Sequence, residues 1–127
     1  MAGFSNYLET NVLDHVFGGS AYTAPSTLYL GLYTAAPSDT GGGTEVSGGS
    51  YARQTATFTV SGDTASNDAV IEFPTATASW GTVVYVGVFD SLSGGNLLAY
   101  AALTTNKAID TGDVLRVPVG DLDITLD

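Results

Sequence analysis

The 127-residue sequence contains no cysteine, which excludes disulfides and thiolate metal sites. It has one histidine, His15, so neither a histidine-based triad nor a multi-histidine metal centre can be built from it. Cations are scarce. Arg53, Lys107 and Arg116 stand against thirteen acidic residues and leave a net charge of −10. Nucleic-acid binders cluster Lys and Arg to neutralise phosphates, and anionic membranes ask for the same, so no nucleic-acid or membrane partner is expected. No stretch approaches about twenty consecutive apolar residues, the length of a membrane-spanning helix. The opening residues, Met1 to Asn6, lack the basic and apolar regions of a signal peptide. These readings place synthesis, and either use or assembly, in a cytoplasm. Heptads and long repeats are also missing, which argues against an extended coiled coil or solenoid.

What is present is β vocabulary. Gly, Thr, Ala, Val and Tyr abound, as in short strands joined by Gly-rich turns. A chain of this length can bury roughly two-thirds of its unfolded surface and carry its own core as one domain, residues 1–127. The centre of the pattern is Thr82 to Phe89. Strand alternation puts Val84, Val86 and Val88 on one face and Val83, Tyr85 and Phe89 on the other, with Gly87 between the two rings. A strand apolar on both sides is central and covered twice. Leu28 to Tyr33 repeats the order of Val84 to Phe89: aliphatic, Tyr, aliphatic, Gly, aliphatic, aromatic. Two such strands side by side share one aliphatic and one aromatic face, and the glycines leave room for neighbouring rings.

Around this pair, Asn6 to Phe17 reads as a helix, with Asn6 as N-cap, Glu9 as its reciprocal acid and Gly18-Gly19 as the stop. Its apolar residues Leu8, Val12, Leu13, Val16 and Phe17 spread over roughly half the circumference. The helix packs either on its own sheet or on a neighbouring subunit. Residues 37–50 carry five glycines and read as a mobile loop or as an arm ordered by a partner. Gln54 to Val60 alternates, with Ala56, Phe58 and Val60 on one face, and Ser61 to Asn67 reads as a polar turn or short loop. Leu97 to Leu103 should return antiparallel to the central strand. In the last strand Leu122, Ile124 and Leu126 face in, with Asp121, Asp123, Thr125 and Asp127 outward. The expected fold is mainly β: a compact antiparallel sandwich or barrel-like domain of about seven or eight strands with one N-terminal α-helix, its β core over residues 27–33 and 54–127.

Candidate chemistry is thin. Glycoside hydrolysis needs two carboxylates at a set separation, and nothing brings Glu9, Glu45 and Glu72 together in sequence. Asp110 with Asp113, and Asp121 with Asp123, lack the spacing of a calcium loop and read as turn formers and a solvated strand face. Neither a metal nor a cofactor is expected, nor catalysis. Trp80, Tyr22 and Tyr51 lie near loops and are the candidates for an exposed aromatic contact, such as a sugar platform.

Five segments, in order, resemble small virion proteins of tailed bacteriophages: Phe4 to Glu9, Thr44 to Gln54, Phe73 to Gly81, Gly94 to Tyr100 and Gly120 to Asp127. Relatives of this kind are described as tail-fibre-like, as generic structural proteins, or as head decoration (cement) proteins. The resemblance implies no catalytic residues. Choosing among these locations, the acidic charge and single domain suit a decoration protein on the outer head surface. It would bridge capsomers, with the major capsid protein and copies of itself, as a homotrimer, for partners. A tail-fibre or tail-tip component that binds a receptor is the alternative, and a carbohydrate-binding module a third. The expected interface residues are Phe4, Tyr7, Glu45, Tyr51, Arg53 and Trp80. Arg53, one of three cations, is the natural partner for an outside carboxylate, and Tyr51 beside it the natural anchor.

Overall fold

The computed structural model describes residues 2–126. Met1 and Asp127, the latter expected on a solvent face, lie outside the described residues. In chain order, β1 (Ala2–Phe4) precedes α1 (Asn6–Leu13), whose last turn widens into a π-helical turn (Asp14–Gly18). Then come β2 (Leu28–Ala35), β3 (Thr44–Glu45), β4 (Gln54–Ala56), β5 (Phe58–Ser61), β6 (Thr64–Asn67) and β7 (Ile71–Glu72). β8 (Gly81–Phe89), β9 (Leu97–Ile109), β10 (Arg116–Val117) and β11 (Asp123–Thr125) complete the domain. It is mainly β, antiparallel throughout, with one N-terminal helix. The strands beyond the expected seven or eight are two- to four-residue pieces.

The large sheet runs β1-β9-β8-β2, with β3 and β4 both on the far edge of β2. β2 and β8, the two strands of shared vocabulary, lie side by side. Leu30 faces Val88, Gly31 faces Gly87, and Leu32 faces Val86. The aliphatic face joins Ile71, Phe73, Leu115 and Leu122 in the core, so the two small sheets, β7-β10 and β5-β6-β11, cover it. On the other face Tyr33 and Phe89 stack at 6.2 Å. Both faces of the central strand are thus covered, as the alternation predicts. One residue departs from it: a register break between Val83 and Tyr85 flips the faces, as a bulge must. Val83 is fully buried, and Val84, expected beside Val86, is only half-buried.

Three further expectations change. Gln54 to Val60 is not one strand: the chain leaves the large sheet after Ala56 and pairs again as β5 with β6. Nothing covers Val60 there, and it is 72% exposed. Ser61 to Asn67 is not a loop but a hairpin arm, its two-residue turn formed by Gly62 and Asp63 between the paired Ser61 and Thr64. Gly62 supplies the positive φ that such turns need. In the last strand Leu122 is buried, but Leu126 is exposed.

The N-terminus is stitched into the sheet. β1 pairs with β9, Phe4 opposite Ala99. Ser5, not Asn6, caps α1, because Ser5 Oγ accepts from the Leu8 amide at 3.3 Å. The same hydroxyl donates to the Leu97 carbonyl at 2.5 Å, and the Ser5 amide to that of Leu98 at 2.7 Å. One small buried side chain therefore joins helix start to sheet. Ser5→Ala is expected to cost about 1–2 kcal/mol, the range for a lost N-cap. Denaturant unfolding checks it, and an unchanged midpoint would mean that the cap is idle.

Candidate functional site

The Gly-rich stretch 37–50 is held by main-chain and side-chain hydrogen bonds together. Ser38 and Gly41 exchange backbone hydrogen bonds, and the Val46 amide donates to Leu32. The Gly49 carbonyl accepts from the Thr77 amide at 3.0 Å and from Trp80 Nε1 at 2.9 Å. A Cβ on Gly49 would lie 2.8 Å from that indole nitrogen, so only glycine allows the approach. The stretch is thus hydrogen-bonded to its own domain, where the sequence suggested a mobile loop or an arm ordered by a partner. Its many glycines fit turns of positive φ at Gly41, Gly42, Gly43, Gly48 and Gly49.

Four of the six expected interface residues meet here, inside the domain. Trp80 is 5% exposed. Its ring meets Tyr51 edge-on at 5.5 Å, and Tyr51 stacks on Phe73 at 6.1 Å. The Tyr51 hydroxyl fills the gap that β3 and β4 leave on the edge of β2: it accepts from the Leu32 amide at 2.9 Å and donates to Glu45 Oε2 at 2.6 Å. Glu45 also takes Arg53 Nε and Nη2, both at 2.8 Å. Arg53 Nη1 donates to the Ser91 and Gly94 carbonyls, each at 2.9 Å. The guanidinium lies 3.5 Å from the centroid of the Phe89 ring, within cation–π range.

Arg53 is therefore largely spent. Its side chain is 8% exposed and that of Glu45 26%. It braces the β8–β9 turn to the edge of β2, with four of its five donors used inside the domain. Burial opposes ionisation of Glu45, but the hydrogen bonds from Arg53 and Tyr51, with the Arg53 charge, outweigh it and hold the carboxyl below its ordinary range. Burial first, then the bond to Glu45, pushes the Tyr51 hydroxyl up. Trp80 and Tyr51 both face inward, so they form no sugar platform. Trp80→Phe keeps most of the packing and deletes the bond to Gly49. It is expected to cost about 1–2 kcal/mol, read as a lower thermal midpoint with the folded spectrum intact.

The other two expected residues lie elsewhere. Phe4 is half-buried against the core. Tyr7 is 39% exposed and meets Tyr22 edge-on at 6.5 Å. Among the remaining carboxylates, Glu72 is paired with Arg116 at 2.6 Å. Asp39 accepts from the Tyr100 hydroxyl, a bond that pushes that phenol up to about 12. Asp113 caps its own turn, accepting from the Asp110 amide at 2.9 Å.

The surface feature that sequence reasoning placed least well is the end of the helix. No residue of α1 or of the π-helical turn is buried. Leu8 and Val12 are half-buried, while Leu13, Val16 and Phe17 are 58%, 61% and 82% exposed. The signal was the apolar arc of half a circumference, wider than one sheet edge can cover. Among the described residues no helix is long and apolar enough to cross a membrane.

No curated protein matches the chain. A family model described as podophage GP4 fiber I protein gp80 matches residues 3–125, which takes in the whole β body and the helix. The chain belongs to that family, and is thus a fibre-type structural protein of tailed-phage virions.

Proposed function

We propose that this protein is a non-catalytic building block of a short virion fibre, contributing a stiff β domain rather than a reaction centre. The family match supports the fibre. The observation that carries the structural role is how the polar chemistry is used. Glu45 and Glu72, two of the glutamates a hydrolase would need, are each held by an arginine of the same chain. The buried pair locks a loop to a sheet edge. A domain of this length has an expected radius of gyration of about 14 Å, so a fibre built with it reaches far only by adding other chains.

The same small size supports a second reading, decoration of the outer head surface among the major capsid protein subunits. Gold-labelled antibody against the folded protein, applied to purified particles, separates the two. Label at fibre positions supports the first reading, and label spread evenly over the head supports the second. Particles free of label and of the protein would overturn both.

A further inference from the structure

We infer that the exposed stripe Leu13, Val16 and Phe17 is the seat of a different virion protein, one that offers an apolar pocket rimmed by Lys or Arg. This rests on the reading of the chain as a virion structural subunit. The three side chains lie within five consecutive residues at the end of the helix, Leu13 on its last α-helical position and Val16 and Phe17 on the π-helical turn, and all three are exposed. Monomeric surfaces scatter single apolar residues, whereas contiguous exposed ones mark contacts. Phe17 is the anchor: a ring 82% exposed at the tip of a π-helical turn that Gly19 closes at φ 76°. Helix-in-groove recognition uses such anchors.

Charge decides the occupant. The first Lys or Arg in the chain is Arg53, so the helix has neither; its one basic side chain is His15, set against the exposed carboxylates Glu9 and Asp14 on the same helical segment. Two of the three cations, Arg53 and Arg116, are consumed by Glu45 and Glu72, and the domain keeps its −10. A second copy of this chain brings the same acids to the stripe and has no cluster of cations to answer them. Like charges face to face disfavour a complex, and opposite charges steer one. A basic rim around an apolar pocket complements both the stripe and the carboxylates. The two exposed carboxylates then set the approach and the ring sets the lifetime.

The experiment uses phage particles assembled without this protein, to which purified protein is added back. Bound protein is quantified for wild type, Phe17→Asp, and the triple variant Leu13→Ser/Val16→Ser/Phe17→Ser. These positions are exposed, so thermal midpoints should match wild type. Phe17→Ala is the second variant should either fail to fold. The expected result is wild-type attachment that falls at least about tenfold in the variants, the loss of one aromatic anchor. It should also weaken between about 0.1 M and 1 M salt, where the screening length drops from about 10 Å to about 3 Å. Wild-type occupancy of the variants would overturn the stripe as the seat and leave the virion role standing. Attachment that needs Phe17 but ignores salt would overturn the basic rim. Oligomers of the isolated protein at tens of micromolar that Phe17→Asp dissolves would assign the stripe to a second copy instead. Should wild type fail to attach at all, the virion-subunit reading falls, and this inference with it.

Discussion

Arg53→Ala is expected to lower stability by about 3–5 kcal/mol, the cost of breaking a buried ion pair by removing one partner. At this size that is roughly 10–20 °C in thermal midpoint. The substitution strands the Glu45 carboxylate, removes the donors to the Ser91 and Gly94 carbonyls and uncovers the Phe89 ring. Arg116→Ala is the contrast. That pair is also short, 2.6 Å, but its side chains are 60% and 51% exposed, and exposed pairs contribute about 0–1 kcal/mol. Distance alone makes the two pairs look alike; burial separates them. A double-mutant cycle with Glu45→Gln and Arg53→Met should show a coupling of about 1–3 kcal/mol. A cycle with no coupling would sink the brace. Acid gives a second check. The folded-state Glu45 carboxyl lies below its ordinary value of 4.5. Its contribution is therefore full above that value and is lost as pH falls through the lower, folded one. The stability gap between wild type and Glu45→Gln should accordingly be constant near neutrality and shrink below about pH 4.5.

Which features were legible in the sequence follows from how far each signal reaches along the chain. The central pairing was readable because its message is local: period-two alternation, repeated in two segments, says which faces match. The brace was not. Glu45 and Arg53 are eight residues apart, with no period that links them. They meet only because β3 and β4 both dock on the same edge of β2. Read singly, a rare cation looks available, although tertiary pairing had already consumed it. Trp80 misled in the same way. Its place near a loop suggested exposure, while the acceptor that lets the indole be buried is a main-chain carbonyl thirty-one residues away. The β5–β6 hairpin was hidden by its composition, since Thr, Ser and Asn favour turns when no partner strand is known. The helix kept its place, but its start moved to Ser5, where a sheet carbonyl shares the hydroxyl.

Gly87→Val tests the most local part of the design against its opposite. By strand propensity alone the change should help, by up to about 1 kcal/mol, because valine suits a sheet and glycine does not. Neither Gly87 nor its partner Gly31 has positive φ, so the backbone admits any residue there. Space forbids it. A Cβ at Gly87 would lie 2.8 Å from Leu97 Cδ1 and 2.9 Å from Tyr33 Cε1, with Phe89 Cε1 at 3.2 Å. Tyr33 and Phe89 cannot both swing away, because their stack lies over the glycine pair and Phe89 also carries the Arg53 guanidinium. Overpacking therefore wins, at the upper end of the about 1–3 kcal/mol range. Gly3→Val is the control. Gly3 lies in β1, also without positive φ, and a Cβ there meets nothing within 4 Å. It should leave stability within about 0.5 kcal/mol of wild type or raise it slightly. Urea unfolding of both variants, with unchanged slopes, reads the two effects separately. A Gly87→Val protein as stable as Gly3→Val would show that the rings do not need the glycines, and that their place in both strands has another cause.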